Sequence, residues 1–201
     1  FVDGIILLNK DKDISSFKAI NNLKYKLGLK KVGHAGTLDP LAEGLMIVLT
    51  DNATKLSDLL LKQDKEYVVE CELGYETDTY DLEGTKTKIF EGEVDLSEEQ
   101  IISEINGFLG DYDQVPPMYS AIKIDGKKLY DLARKGIEVE RKSKIVNIHY
   151  LKDIVVSGNK VSFTVFVSSG TYIRSIIRDL GRRLGTYATM TKLVRTKIGK
   201  F

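Results

Sequence analysis

Hydrophobic and polar positions along this chain follow two periods, and the switches between them mark out its elements. Gly4-Ile5-Ile6-Leu7-Leu8-Asn9-Lys10 reads as an opening strand that ends on a basic residue. Ser15 or Ser16 then caps a helix to about Lys26, with Phe17, Ile20, Leu23 and Leu27 on one face and Gly28 as the stop. Leu45-Met46-Ile47-Val48-Leu49 is a short apolar run of the kind found in buried strands. Ala53 to Leu61 has the spacing of a short helix with Leu56, Leu59 and Leu60 inward. The next strand puts Tyr67, Val69, Cys71 and Leu73 on one face and Val68, Glu70 and Glu72 on the other.

Gly74 to Gly84 is polar and acidic and reads as an irregular connection. Ser97-Glu98-Glu99-Gln100 is a capping box opening a helix with Ile101, Ile102, Ile105 and Phe108. Residues 114–136 begin on the extended Pro116-Pro117 pair, turn tightly at Asp125-Gly126 and continue as an amphipathic helix to Gly136. Strands near 145–156 and 160–168 form a hairpin, and Gly170-Thr171 starts a helix with Ile173, Ile176, Ile177, Leu180 and Leu184 on its apolar face. Arg174, Arg178, Arg182 and Arg183 fall mostly on its other faces, and a strand near 188–196 follows. This alternation predicts one α+β domain over 1–201, with a central mixed sheet and no repeats.

Between the first helix and the buried run lies Gly33-His34-Ala35-Gly36-Thr37-Leu38-Asp39-Pro40-Leu41-Ala42-Glu43-Gly44. Three glycines and a proline make this a shaped loop, and Pro40 biases Asp39 away from helical geometry. A carboxylate held in a stiff turn against a core strand is well placed to be a positioned chemical group. Asp-Pro is equally a common way to start a turn.

Charge narrows the choice. The net charge is only +1, but residues 171–201 carry eight bases and one acid, 114–152 nine bases and four acids, and 91–113 eight acids and no base. Such polarity suits a chain that offers one face to an anionic polymer, although solvated helix faces with chance clustering would look the same. Two histidines and one cysteine supply too few ligands for a zinc site. There is no phosphate-cradling glycine loop with lysine, no dinucleotide fingerprint and no nucleophile elbow. No apolar run approaches the roughly 18 residues of a membrane span, and Cys71 reads as an inert thiol of a reducing compartment. The chain begins at Phe1 without a methionine, so a few residues are expected to precede it; no signal-peptide pattern is visible.

The segment Gly33 to Pro40 resembles the signature loop of the TruB family of tRNA pseudouridine synthases. The likeness runs through several separate motifs and covers nearly the whole chain. It implies a pseudouridine-synthase catalytic fold, a largely antiparallel sheet flanked by helices with an RNA-binding flap inserted at roughly 114–144. It also implies a cytoplasmic enzyme that converts uridine 55 in the tRNA T-loop to pseudouridine by base flipping, without metal or cofactor. The partner would be the tRNA T-stem-loop; no membrane, no obligatory protein partner and a monomeric state are expected.

By that match Asp39 is the catalytic group, and Arg174, in Gly170-Thr171-Tyr172-Ile173-Arg174-Ser175, pairs with it. Tyr67, in Lys65-Glu66-Tyr67, stacks on the flipped base and is counted as catalytic and substrate-binding. Tyr172 contacts the base or the catalytic pair, Leu193 packs against the bound uracil, and His34 takes the space left by flipped nucleotides. Lys10, Ser15 and Ser16 match a motif that buttresses the loop, with Lys10 counted among the substrate-binding groups. Lys123, Lys127, Lys128, Arg178, Arg182 and Arg183 are expected on RNA phosphates. Without the resemblance each has a plainer reading: Leu193 as core, Tyr67 as a strand aromatic, His34 as a structural loop residue. Asp11 stands where the family usually has proline, which bears on the shape of loop 10–14. The chain also stops before the small RNA-binding domain many relatives append, so no C-terminal accessory domain and weaker tRNA affinity are expected. A non-catalytic RNA-binding domain and a guide-RNA-dependent catalytic subunit are the competing readings.

Overall fold

The computed structural model describes residues 3–201. In chain order the elements are β1 (Gly4–Lys10), α1 (Ser16–Leu27), β2 (Val32–His34), β3 (Glu43–Thr50), a 3-10 turn (Asp51–Leu56), α2 (Ser57–Leu61), β4 (Lys65–Leu73), β5 (Tyr75–Thr77) and β6 (Lys86–Ile89). They continue as α3 (Glu98–Asn106), β7 (Gly110–Gln114), β8 (Lys123–Ile124), β9 (Lys127–Lys128), α4 (Leu129–Arg134), β10 (Lys144–Ser157), β11 (Lys160–Val167), α5 (Ile173–Leu184) and β12 (Ala188–Ile198). The architecture is α+β. Its sheet runs β1-β3-β12-β4-β11-β10-β7, with β2 also on β3, and every pairing is antiparallel except β12 with β3.

Local signals account for most of these boundaries. Ser15 caps α1 by accepting from Lys18 N at 3.1 Å, and Gly28 ends it at φ 60. The Ser97–Gln100 capping box closes with both bonds, at 3.1 and 2.8 Å. Asp125 and Gly126 both take positive φ in the β8–β9 turn, as a two-residue hairpin of this hand requires. Tyr67, Val69, Cys71 and Leu73 of β4 face a core built with α3 and α5, while Val68 is exposed.

Four local readings are corrected. Only Leu60 of the 53–61 leucines is buried, because the 3-10 turn rotates Leu56 and Leu59 to the surface. On α1 the buried residues are Ser16, Ala19 and Ile20, leaving Phe17 and Leu27 exposed, since the Asp39 loop packs over Ser16. The 74–84 connection contains β5, paired with β6, and buries Glu76, Thr77, Tyr80 and Asp81. Gly33-His34 and Glu43-Gly44 are strand rather than loop.

Met118, Leu129 and Leu132 form a small separate core inside the 114–136 excursion, so it keeps a shape of its own beside the sheet. No helix among the described residues is long and apolar enough to cross a membrane.

Lys65 opens β4 nearly buried, its Nζ donating to Leu61 O and Gln63 O at 2.8 Å each. Burial, then the Arg195 charge, pushes its ammonium down to about 8 from 10.5. Between those values the unfolded chain holds a proton that the folded one has lost, so stability rises with pH across the window. Below it the cost of burying the charge is carried in full. The wild type is expected to gain roughly 3 kcal/mol relative to Lys65→Met from pH 8 to pH 10.5. Urea midpoints measured in parallel test this; parallel curves for the two proteins would refute it.

Candidate active site

The Asp39 loop is held almost entirely through its carbonyl oxygens. Arg195 Nη2 donates to Gly36 O at 3.1 Å and Nη1 to Thr37 O at 3.4 Å, while its Nε donates to Leu45 O at 2.8 Å. Ser16 Oγ both donates to Leu38 O, at 2.6 Å, and accepts from Leu38 N, at 2.8 Å. Ala42 N donates to Asp39 O at 3.0 Å, and Asp13 N and Lys10 Nζ donate to Pro40 O at 2.7 and 3.3 Å. Five consecutive carbonyls, from Gly36 to Pro40, therefore have donors. The backbone is pinned, and the Asp39 carboxylate projects from it 59% exposed.

Arg174 reaches that carboxylate from the first turn of α5, with Nε 3.5 Å from Oδ2. Its guanidinium is nearly buried, with Nη1 donating to Thr79 O at 3.1 Å and Nη2 to Tyr119 O at 2.8 Å. Three distant segments thus fix one planar fork, a role a lysine point charge could not fill. The pair opens onto a cleft of about 460 Å³ lined by Tyr67, Tyr119, Tyr130, Tyr172, Leu193 and Lys128 among others. Burial pushes the Tyr172 phenol up, so it stays protonated and can donate. An exposed carboxylate aimed by a buried guanidinium, over aromatic and aliphatic walls, can hold a flat ring and act on a bond beside it.

The structure brings Asp39, Arg174, Tyr67, Tyr172 and Leu193 to this cleft. It places other expected residues elsewhere. Lys10 is 1% exposed and donates to Asp11 O, Ile14 O and Pro40 O, so its ammonium is spent on backbone and faces no ligand. His34 is at the surface outside the cleft, its Nδ1 accepting from Gly36 N at 3.3 Å. Partial loss of its water shell, then the Arg195 charge, lowers its pKa.

Arg178 is 2% exposed, donates to Asp179 and Val115 O, and lies 5.0 Å over the Tyr80 ring; no phosphate can reach it. Arg182 is held by both oxygens of buried Glu76, at 2.9 and 3.0 Å. Arg183 stacks 3.9 Å over Phe108, roughly 13 Å along the helix axis from Arg174. Lys123, Lys127 and Lys128 are exposed on the β8–β9 hairpin, and Lys128 reaches the cleft.

Sequence reading gave no role to Arg195 or Gln114. Arg195 is one of three bases in β12, with Lys192 and Lys197, and nothing in the pattern singles it out; Gln114 leaves no trace at all.

Residues 24–173 match the TruB family pseudouridylate synthase N-terminal domain. A tRNA pseudouridine synthase B of Fusobacterium nucleatum subsp. nucleatum is 51% identical over 200 residues, covering all of this chain and 69% of its own length. The protein of the same name from Clostridium tetani is 46% identical over 200 residues with the same coverage. The structure of a Cbf5-Nop10-Gar1 complex superposes with TM-score 0.76 at 31% identity, over 98% of this chain and 50% of that one. An H/ACA RNP bound to a substrate RNA containing 2'-deoxyuridine gives 0.71 at 28% identity, over 98% and 47%. This chain belongs to the TruB family of pseudouridylate synthases.

Proposed function

We propose that this protein isomerises a uridine of tRNA to pseudouridine, and that its target is position 55 in the T-loop, as a cytoplasmic enzyme acting without a protein partner. The observation that carries the reading is Asp39 beside Arg174 at the mouth of a cleft with Tyr67 and Leu193 in its walls. A uridine swung out of its stack loses its neighbours, and the Tyr67 ring offers a replacement face. Asp39, kept in place by Arg174, acts beside the ribose–base bond. The N1–C1′ bond breaks, the uracil turns within the cleft, C5 bonds to C1′, C5 loses its proton and N1 gains one. The cleft's walls hold the detached base during that turn, so no atom leaves. The relatives named tRNA pseudouridine synthase B support the substrate class.

RNA binding through phosphates falls to the hairpin lysines Lys123, Lys127 and Lys128, with loop shape supplying recognition. Arg178 is withdrawn from that role by burial, and Arg182 is committed to Glu76.

Incubating the protein with unmodified tRNA and with an isolated T-stem-loop, then mapping pseudouridine, tests the reading. Product at position 55 in both RNAs, with no other protein present, is the expected result. Binding without product would leave only an RNA-binding domain, and product only with added guide RNA or partner would favour a guided catalytic subunit.

A further inference from the structure

The residue that roots the flap also caps the helix carrying Arg174. Gln114 ends β7 at 2% exposure, and its amide closes on the Tyr172 backbone: Tyr172 N donates to Oε1 at 2.8 Å and Nε2 donates to Tyr172 O at 3.0 Å. Tyr172 is the N-cap of α5 and makes no cap with its own side chain. In a capping box, a Glu or Gln three residues on would accept from the N-cap N–H. Here that position is Ser175, whose hydroxyl instead donates to Val115 O at 2.9 Å. Gln114 supplies the missing acceptor from a separate strand.

The same short segment is fastened twice more. Arg178 Nη2 donates to Val115 O at 3.0 Å, and Tyr119 O accepts from Arg174 Nη2 at 2.8 Å. Residues 114–119 and the first turns of α5 are therefore joined at Tyr172, Arg174, Ser175 and Arg178, and Arg174 in turn meets Asp39. We infer that Gln114 is a positioning residue for the Arg174–Asp39 pair, making the flap root and the start of α5 one body so that the seating of the flap and the aim of Arg174 are set together. The inference rests on the reaction proposed above.

The test compares Gln114→Leu, which removes both bonds, with Gln114→Glu, which keeps the acceptor for Tyr172 N. Gln114→Leu is expected to slow single-turnover isomerisation at saturating RNA by about 10²-fold, the scale of a 1 Å misplacement. RNA affinity should fall by less than the rate does, because the flap's own core of Met118, Leu129 and Leu132 still presents the hairpin lysines, while exchange of the Tyr172 amide proton accelerates. Gln114→Glu should restore slow exchange and most of the rate. Combined with Arg174→Lys, Gln114→Leu should add little further loss, because both act on one geometry. A Gln114→Leu rate near wild type, unchanged Tyr172 exchange, or losses that multiply in the double variant would each overturn the inference. Gln114→Asn, too short to reach both backbone groups, serves if Gln114→Leu does not fold. An inactive wild type would instead sink the proposed function, and the amide exchange would still report on the cap.

Discussion

Asp39→Asn is expected to cut pseudouridine formation by at least about 10³-fold while leaving tRNA binding within a few-fold. The substitution preserves shape and removes only the charge and the free lone pair the chemistry needs. Folding should scarcely notice. The carboxylate is 59% exposed, and the nearly buried Arg174 retains the Thr79 and Tyr119 carbonyls when Asp39 is neutralised. The stability loss should therefore stay below about 1 kcal/mol, the scale of an exposed ion pair. Single-turnover kinetics and a melting curve on one preparation check both halves. A variant that still turns over at a tenth of the wild-type rate would remove Asp39 from the chemistry.

The second large effect is expected at a glycine with no chemistry. Gly44 closes the Asp39 loop at φ 106 and pairs with Arg195 at the one parallel junction of the sheet. A Cβ there would lie 2.2 Å from Arg195 O and 2.9 Å from Arg195 N, both backbone atoms in a central strand. Neither the angle nor the space tolerates it, so Gly44→Ala should destabilise by about 4 kcal/mol, combining backbone strain with overpacking. Activity should fall with it. Pushing β12 from β3 also moves the guanidinium that holds the Gly36, Thr37 and Leu45 carbonyls. Gly28→Ala is the control: its φ is 60, but nothing lies within 4 Å of the added methyl, so about 1 kcal/mol is expected. Equal urea midpoints for the two variants would rule out the close-approach argument.

Much of this molecule was legible from local pattern. The Ser15 and Ser97 caps, the Asp125-Gly126 turn and the alternation of β4 are decided by neighbours in sequence, and the structure carries each of them. The arginines were not legible in that way. Helical spacing puts Arg178 off the apolar stripe of α5, yet Val115 O, Asp179 and the Tyr80 ring enclose it. Lys10 ends an ordinary strand pattern, yet it disappears beneath the Asp39 loop.

By itself, the sequence determined the longer helices and strands, the turn at Asp39-Pro40 and the residue types available for chemistry, because these depend on backbone preference and short-range periodicity; the short strands β2, β5, β6 and β7 carry too few residues for a period to mark them. Only the tertiary structure decided which cations are buried scaffold and which remain for a ligand. The groups that claim Lys10, Arg174, Arg178 and Arg195 include backbone carbonyls from distant segments. Every residue carries such an oxygen, so nothing in the order of side chains marks the few that converge on a buried charge.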